Sequence, residues 1–183
     1  MEQNSAKVFS ENWNIYQKII LHNYMHHAAF VKKTAEVFRK LSQKKLRILD
    51  IGCGDAMALL PILQQAPVAF YSGYDLSPYA LQMAAANLSS QHFPSSFKEG
   101  NMMMLIQEEK KQFDVVHSSF AIHHLQDDEK QKLFKACFDK LTPGGKMIYI
   151  DVFRQRGNTR EQYIEDYIFY IKSESEMSRF FCF

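Results

Sequence analysis

Apolar and polar positions alternate along this chain with two different periods, and the switches between them divide it into three stretches. Trp13, Tyr16, Ile20 and Tyr24 recur at helical spacing, and Phe30, Thr34, Val37, Phe38 and Leu41 repeat it, which predicts two helices or one broken helix. From Leu46 the pattern becomes a short apolar run, Leu46-Arg47-Ile48-Leu49-Asp50-Ile51, closed by glycines. That is the pattern of a strand covered on both faces of a parallel sheet. Ala69 to Asp75 predicts a second strand. Ser77-Pro78 then starts a helix, with a hydroxyl to accept from a free N–H and a proline whose missing N–H costs nothing in the first turn. Leu81, Ala84, Ala85 and Leu88 mark its course. Ser96–Glu99 fits a third strand and Phe113–His117 a fourth. Leu133, Phe134, Cys137, Phe138 and Leu141 form a helical face that Thr142-Pro143-Gly144-Gly145 ends, and Lys146–Val152 fits a fifth strand.

Strands that alternate with helices pair in parallel through right-handed crossovers. The expected fold is therefore α/β: an open, doubly wound, mostly parallel sheet with helices on both faces and an N-terminal helical extension. Residues 1–43 form the helical segment or lid, 44–153 the α/β core, and 154–183 a C-terminal helix and tail, within one domain overall. Ligands of such sheets lie beyond the carboxyl ends of the strands, where the strand order reverses. The residues that directly follow each strand are the candidates for chemistry.

Charge and composition narrow the function classes. A formal charge of +2 with scattered lysines does not build a surface that tracks a phosphate backbone, so no nucleic-acid partner is expected. No basic-then-apolar leader and no run of about 18 apolar residues occurs, so a cytoplasmic protein without a membrane anchor is expected. Cys53, Cys137 and Cys182 contain no CxxC pair, which argues against a disulfide framework and a structural zinc site. His22, His26 and His27 include the i, i+4 spacing of a helical metal pair but bring no third ligand, so no metal is expected.

After the first strand, Gly52 and Gly54 remove side chains where the backbone turns sharply and a ligand lies against it. A dinucleotide fingerprint continues to a third glycine, but position 57 is Met57, and Asp55 would set a negative charge near a pyrophosphate. A sulfonium cation with an amino-acid end suits Asp50 and Asp55 better. Asp75 ends the second strand near the offset of about 20 residues at which an acid meets ribose hydroxyls. Its other reading is an Asx turn into the Ser77 cap.

Taken together, LDIGCGDA, YDLSPYALQMAAANL, EGNMMML, FDVVHSSFAIHHL and LTPGGKMIYID resemble the class I S-adenosylmethionine-dependent methyltransferases of small molecules, over roughly Leu46 to Val152. The resemblance implies S-adenosylmethionine as cofactor and S-adenosylhomocysteine as product. It puts the methionine end on Asp50, Gly52, Cys53 and Gly54, the ribose on Asp75, and the adenine beside Leu76. Asn101 stands where the family has an acid for the adenine amino group, with Met102 as apolar neighbour. An amide oxygen accepts from an amine, and it also serves as a turn residue. Ala56 replaces the third family glycine. His117, at the start of the segment that surrounds the transferable methyl, completes the cofactor set.

That segment has no Asn-Pro-Pro-Tyr-like stretch and no Pro-Cys nucleophile, which argues against methylation of DNA bases. His117, His123 and His124 suggest a general base, with His123 the catalytic candidate. The competing reading is that they shape the pocket and that positioning is the whole mechanism. Trp13, Tyr16 and Tyr24 either line a lid or anchor the first helix to the sheet. The family follows its fifth strand with a helix and two further strands. Glu161, Ile164, Ile168 and Ile171 suggest the helix, and Phe180-Phe181-Cys182-Phe183 ends too soon for both strands. The C-terminal strands are therefore expected to be missing, and a Phe-rich end makes a homodimer one expected consequence. Three functions follow in order: a methyltransferase for a small-molecule methyl acceptor; a cofactor-binding protein without turnover because of the incomplete C-terminal region; and a NAD-dependent oxidoreductase, weakened by Met57 and Asp55.

Overall fold

Every position of Leu46–Ile51 (β1) except Arg47 is buried, because this strand has neighbours on both edges and both faces. The computed structural model describes residues 27–151, together with 157–159, 161–163 and 165. β1 pairs in parallel with Val68–Asp75 (β2) and with Phe113–Ser119 (β4). Ser95–Glu99 (β3) extends the sheet beyond β2 and Leu141–Ile150 (β5) beyond β4, so the described strands run in the order β3-β2-β1-β4-β5. The chain winds outward from β1 to β3 and then crosses to β4 on the other side. The reversal lies between β1 and β4, and the Gly52 loop leaves the sheet there.

Successive side chains of a strand point to opposite faces, and β1 divides the core accordingly. Leu46 and Ile48 pack with Phe38 of α1 (His27–Leu41), Ile62 of α2 (Leu60–Leu63) and Leu81 and Leu88 of α3 (Pro78–Leu88). Leu49 and Ile51 pack with Ile106 of α4 (Met102–Glu108) and with Leu133 and Cys137 of α5 (Asp127–Asp139). Each such aliphatic side chain contributes about 1.5 to 3 kcal/mol when fully buried. Asp50 shares the α1 face with Ile48, so its carboxylate enters an apolar layer and needs partners there.

Most elements form as their patterns predict. Ser77 Oγ accepts from the Ala80 N–H at 3.2 Å with Pro78 in the first turn of α3. Thr34 and Phe38 make the buried face of α1. The fifth strand differs: it begins at Leu141 rather than Lys146. Phe113 lies opposite Leu141 while Val115 lies opposite Lys146, so Thr142–Gly145 bulges out against Asp114. Asp114 Oδ1 holds the bulge by accepting from the Thr142 hydroxyl at 2.8 Å, and Gly144 takes φ +80°. The Pro-Gly-Gly signal ends α5 and then sits within strand pairing, a long-range arrangement no local rule encodes. β2 and β3 start one residue earlier than expected, β4 runs on to Ser119, and β5 ends at Ile150.

Trp13, Tyr16, Ile20, Tyr24, His22, His26, Val152, Ile164, Ile168, Ile171 and residues 180–183 lie outside the described residues. The expected lid, histidine pair, missing C-terminal strands and Phe-rich end lie there with them. Among the described residues no helix is long and apolar enough to cross a membrane.

Candidate active site

Gly52 and Gly54 leave β1 with φ of +69° and +53°, in the left-handed region that side chains disfavour. The N–H groups of Gly52 and Cys53 donate to the Tyr74 carbonyl at 2.7 and 3.0 Å, tying the loop to the end of β2. A Cβ on Gly52 would stand 2.3 Å from the Ala121 Cβ, so packing as well as conformation demands glycine. Ala56 also takes a positive φ, +61°, at the position where the family resemblance expects a glycine.

Asp75 reaches back under this loop. Its Oδ2 accepts from the Gly54 N–H and its Oδ1 from the Ser77 N–H, each at 2.9 Å. Each carboxylate oxygen has a second lone pair, so the Asx turn and a ligand contact are compatible. Burial pushes the Asp75 carboxyl up, with the backbone hydrogen bonds opposing. Leu76 is exposed beside it. Asn101 caps α4, its Oδ1 accepting from the Met103 N–H at 2.8 Å, and Met102 packs partly buried against the second core cluster. The turn reading of Asn101 is thus realised in the structure.

Asp50 and His117 meet below the loop. Asp50 Oδ1 lies 2.8 Å from His117 Nδ1, and Asp50 Oδ2 accepts from the Tyr71 hydroxyl at 2.8 Å. Burial, and then the Asp50 charge, keep Tyr71 protonated far above its ordinary range. The same two causes raise the Cys53 thiol, which leaves it a packed group and not a nucleophile. Sequence reasoning missed Tyr71 because its approach to Asp50 depends on the register that sets Asp50 opposite Gly73. Sequence reasoning also missed the partner of His123. Asp151 Oδ1 lies 2.6 Å from His123 Nδ1, and its Oδ2 accepts from the His123 backbone N–H at 3.0 Å. The His124 ring lies tilted against that of His123, centroids 4.1 Å apart, and burial followed by that neighbour lowers the His124 pKa.

The carboxyl ends of the central strands are therefore acidic. Burial raises the Asp55 carboxyl as it does that of Asp75, and among the described residues Asp50, Asp55 and Asp75 have no ion pair to lysine or arginine. A pyrophosphate would meet repulsion here, whereas a ligand with cationic and hydroxyl groups finds acceptors. These acceptors fit S-adenosylmethionine and do not favour NAD. Beside the loop, a small cleft opens between α1, the chain after Ala56 and the ends of β4 and β5. No cluster of His, Cys, Asp and Glu among the described residues is arranged to hold a metal.

Comparison with known proteins agrees with this chemistry. The model of a methyltransferase-domain family matches residues 48–145. Phosphoethanolamine N-methyltransferase of Plasmodium falciparum is 25% identical over 90% of this chain and 64% of its own length. O-methyltransferase 3 of Dictyostelium discoideum is 23% identical over 75% of this chain and 34% of its own length, so the chain spans only part of these relatives. Among solved structures, a DhpI complex with S-adenosylhomocysteine superposes with a TM-score of 0.67 at 13% identity, covering 88% of this chain and 76% of that one. CalS10 with bound S-adenosylmethionine, an amino pentose methyltransferase of Micromonospora echinaspora, gives 0.61 at 22% identity over 79% and 59%. With its Rossmann-like sheet, glycine loop and uncompensated acids, this chain belongs to the methyltransferase-domain family as a class I S-adenosylmethionine-binding domain.

Proposed function

We propose that this chain transfers a methyl group from S-adenosylmethionine to a small-molecule acceptor. The observation that carries the reading is the acidic, glycine-turned edge at the strand reversal, where Asp50, Asp55 and Asp75 have no lysine or arginine partner among the described residues. Gly52, Cys53 and Gly54 bring the backbone against the methionine end, and Asp50 supports that loop from below. Asp75 accepts from the ribose hydroxyls with its two remaining lone pairs. Leu76, Asn101 and Met102 flank the adenine. The sulfonium supplies a methyl group already activated for displacement, so the chain's own task is to orient the donor and to hold the acceptor in line with it. The oxidoreductase alternative is not favoured, since it needs a pyrophosphate on this acidic edge.

Calorimetry and thermal shift test the reading. S-adenosylhomocysteine is expected to bind and raise Tm, and NAD is not. Asp75→Ala is expected to weaken S-adenosylhomocysteine binding by about 1.5 to 3 kcal/mol, the worth of hydrogen bonds to a charged acceptor. Unchanged affinity in this variant removes Asp75 from the site, and no binding by the parent chain sinks the donor assignment.

A further inference from the structure

Asp50 is 3% exposed and enters the apolar layer between β1 and α1, where a carboxylate is costly unless hydrogen-bonding partners meet it. Strand register explains one of those partners, since His117 on β4 stands directly opposite Asp50. It does not by itself explain the other. Opposite Asp50 on β2 is Gly73, and Tyr71 stands two positions earlier on the same face, opposite Ile48. The Tyr71 ring leans over Gly73 so that its hydroxyl reaches Asp50 Oδ2 at 2.8 Å. Gly73 makes this possible: a Cβ there would stand 3.1 Å from Tyr71 Cε1, 2.7 Å from Cys53 Sγ and 3.0 Å from Phe97 Cδ1. Phe97 backs the ring from β3, with centroids 6.0 Å apart.

A phenylalanine ring would fill the same space. The hydroxyl is the feature of Tyr71 that packing does not need, and it is wholly buried, so its use lies in the carboxylate it meets. Burial keeps the phenol protonated, which makes it a donor and not a base. Two residues after Asp50 the chain turns into the glycine loop, and the Cys53 thiol of that loop settles over the same Gly73 as the Tyr71 ring. Tyr71 thus lies directly beneath the part of the loop that, on the reading proposed above, receives the methionine end of the donor.

We propose that Tyr71 is a positioning residue for the methyl donor: the hydrogen bond it gives Asp50 fixes the glycine loop that receives the donor's amino-acid end. The inference rests on the methyl-donor reading of that loop. Tyr71 is enclosed and acts through Asp50. With one carboxylate oxygen held from β2 and the other from β4, Asp50 keeps a single orientation, and the strand end from which Gly52 turns keeps a single position. The adenosine end is assigned to Asp75, Leu76, Asn101 and Met102, and the side-chain hydrogen bonds that hold Asp75 and Asn101 run to Gly54, Ser77 and Met103. The contribution of Tyr71 is therefore confined to one end of the ligand.

Two ligands separate this role from a merely structural one: S-adenosylhomocysteine, and 5′-methylthioadenosine, which lacks the amino-acid end. Both are titrated into the 15N-labelled chain, so that millimolar affinities are measured in folded protein. Tyr71→Phe is expected to weaken S-adenosylhomocysteine by about 10-fold, the worth of one hydrogen bond to a charged group, and to leave 5′-methylthioadenosine unchanged. Unchanged affinity for S-adenosylhomocysteine with a lowered Tm, or an equal loss for both ligands, overturns the proposal. In an Asp50→Asn background Tyr71→Phe is expected to cost less than about 2-fold further, because the two residues act as one unit. A second full loss there means that Tyr71 acts by another route, and it also overturns the proposal. If the parent binds only S-adenosylhomocysteine, this double variant decides. If Tyr71→Phe does not fold, Asp50→Asn alone is compared on the two ligands: a selective loss of S-adenosylhomocysteine supports the proposal, and an equal loss or none overturns it. Failure of the parent chain to bind S-adenosylhomocysteine defeats the donor reading instead.

Discussion

The two ends of the central strands treat their acids in opposite ways. At the amino end, Asp114 is surrounded by donors: Lys44 Nζ at 2.8 Å, the Arg47 guanidinium at 3.3 Å, the Arg47 N–H at 2.9 Å and the Thr142 hydroxyl at 2.8 Å. Burial alone would raise its carboxyl, but these donors outweigh burial and hold it well below the usual carboxylate range. At the carboxyl end, burial prevails over the backbone N–H groups that Asp55 and Asp75 accept, and both are raised. The first arrangement is complete in itself and staples β4 to β1 and to the bulge of β5. The second retains lone pairs and uncompensated charge, which is what a polar, partly cationic ligand uses.

Three substitutions probe that contrast. The largest effect is expected from Gly52→Val at the carboxyl end, where a branched side chain meets both the left-handed backbone and Ala121. A loss of about 3 kcal/mol or more in urea unfolding is expected, together with loss of S-adenosylhomocysteine binding. A fully stable variant would show that the loop is not held as described.

Asp114→Asn at the amino end is expected to cost about 2 kcal/mol, because Lys44 and Arg47 lose their counter-charge, while cofactor affinity in the folded protein stays as it was. The sign with pH follows from the lowered carboxyl. Its folded-state pKa lies below that of the unfolded chain, so its contribution is complete above the unfolded value of about 3.9 and is lost as pH falls through and below it. Urea midpoints measured from neutral pH to acid are expected to converge for parent and variant. Divergence on acidification would contradict the pairing.

The smallest effect is expected at Ala56. Relief of a positive φ favours Ala56→Gly, and the freer unfolded chain opposes it, leaving a gain of about 1 kcal/mol or less by thermal unfolding. A marked destabilisation would mean that the methyl group of this buried alanine contributes more through packing than its conformation costs.

Local chemistry made much of this legible in advance. The run Leu46–Ile51 ending in glycines, the Ser77-Pro78 helix start and Asp75 at the end of its strand each carry their meaning in a few neighbouring residues, and the structure forms all three as elements or caps. Thr142–Gly145 was legible only in half, as a helix stop, because its bulge is defined against Asp114 across the sheet. His123 and Asp151 are 28 residues apart, one after β4 and the other after β5, and nothing in either segment announces the other.

By itself the sequence determined an alternating α/β chain, a glycine turn at the end of its first strand and an acidic setting for the ligand, since propensity, periodicity and charge act over short separations. Only the tertiary structure decided that β4 crosses to the far side of β1. That crossing brings Asp50, Tyr71 and His117 together from three strands, with His117 among the residues that line the cleft beside α1. Strand order and register are settled by long-range burial, and a buried carboxylate is completed by whichever neighbours that register supplies.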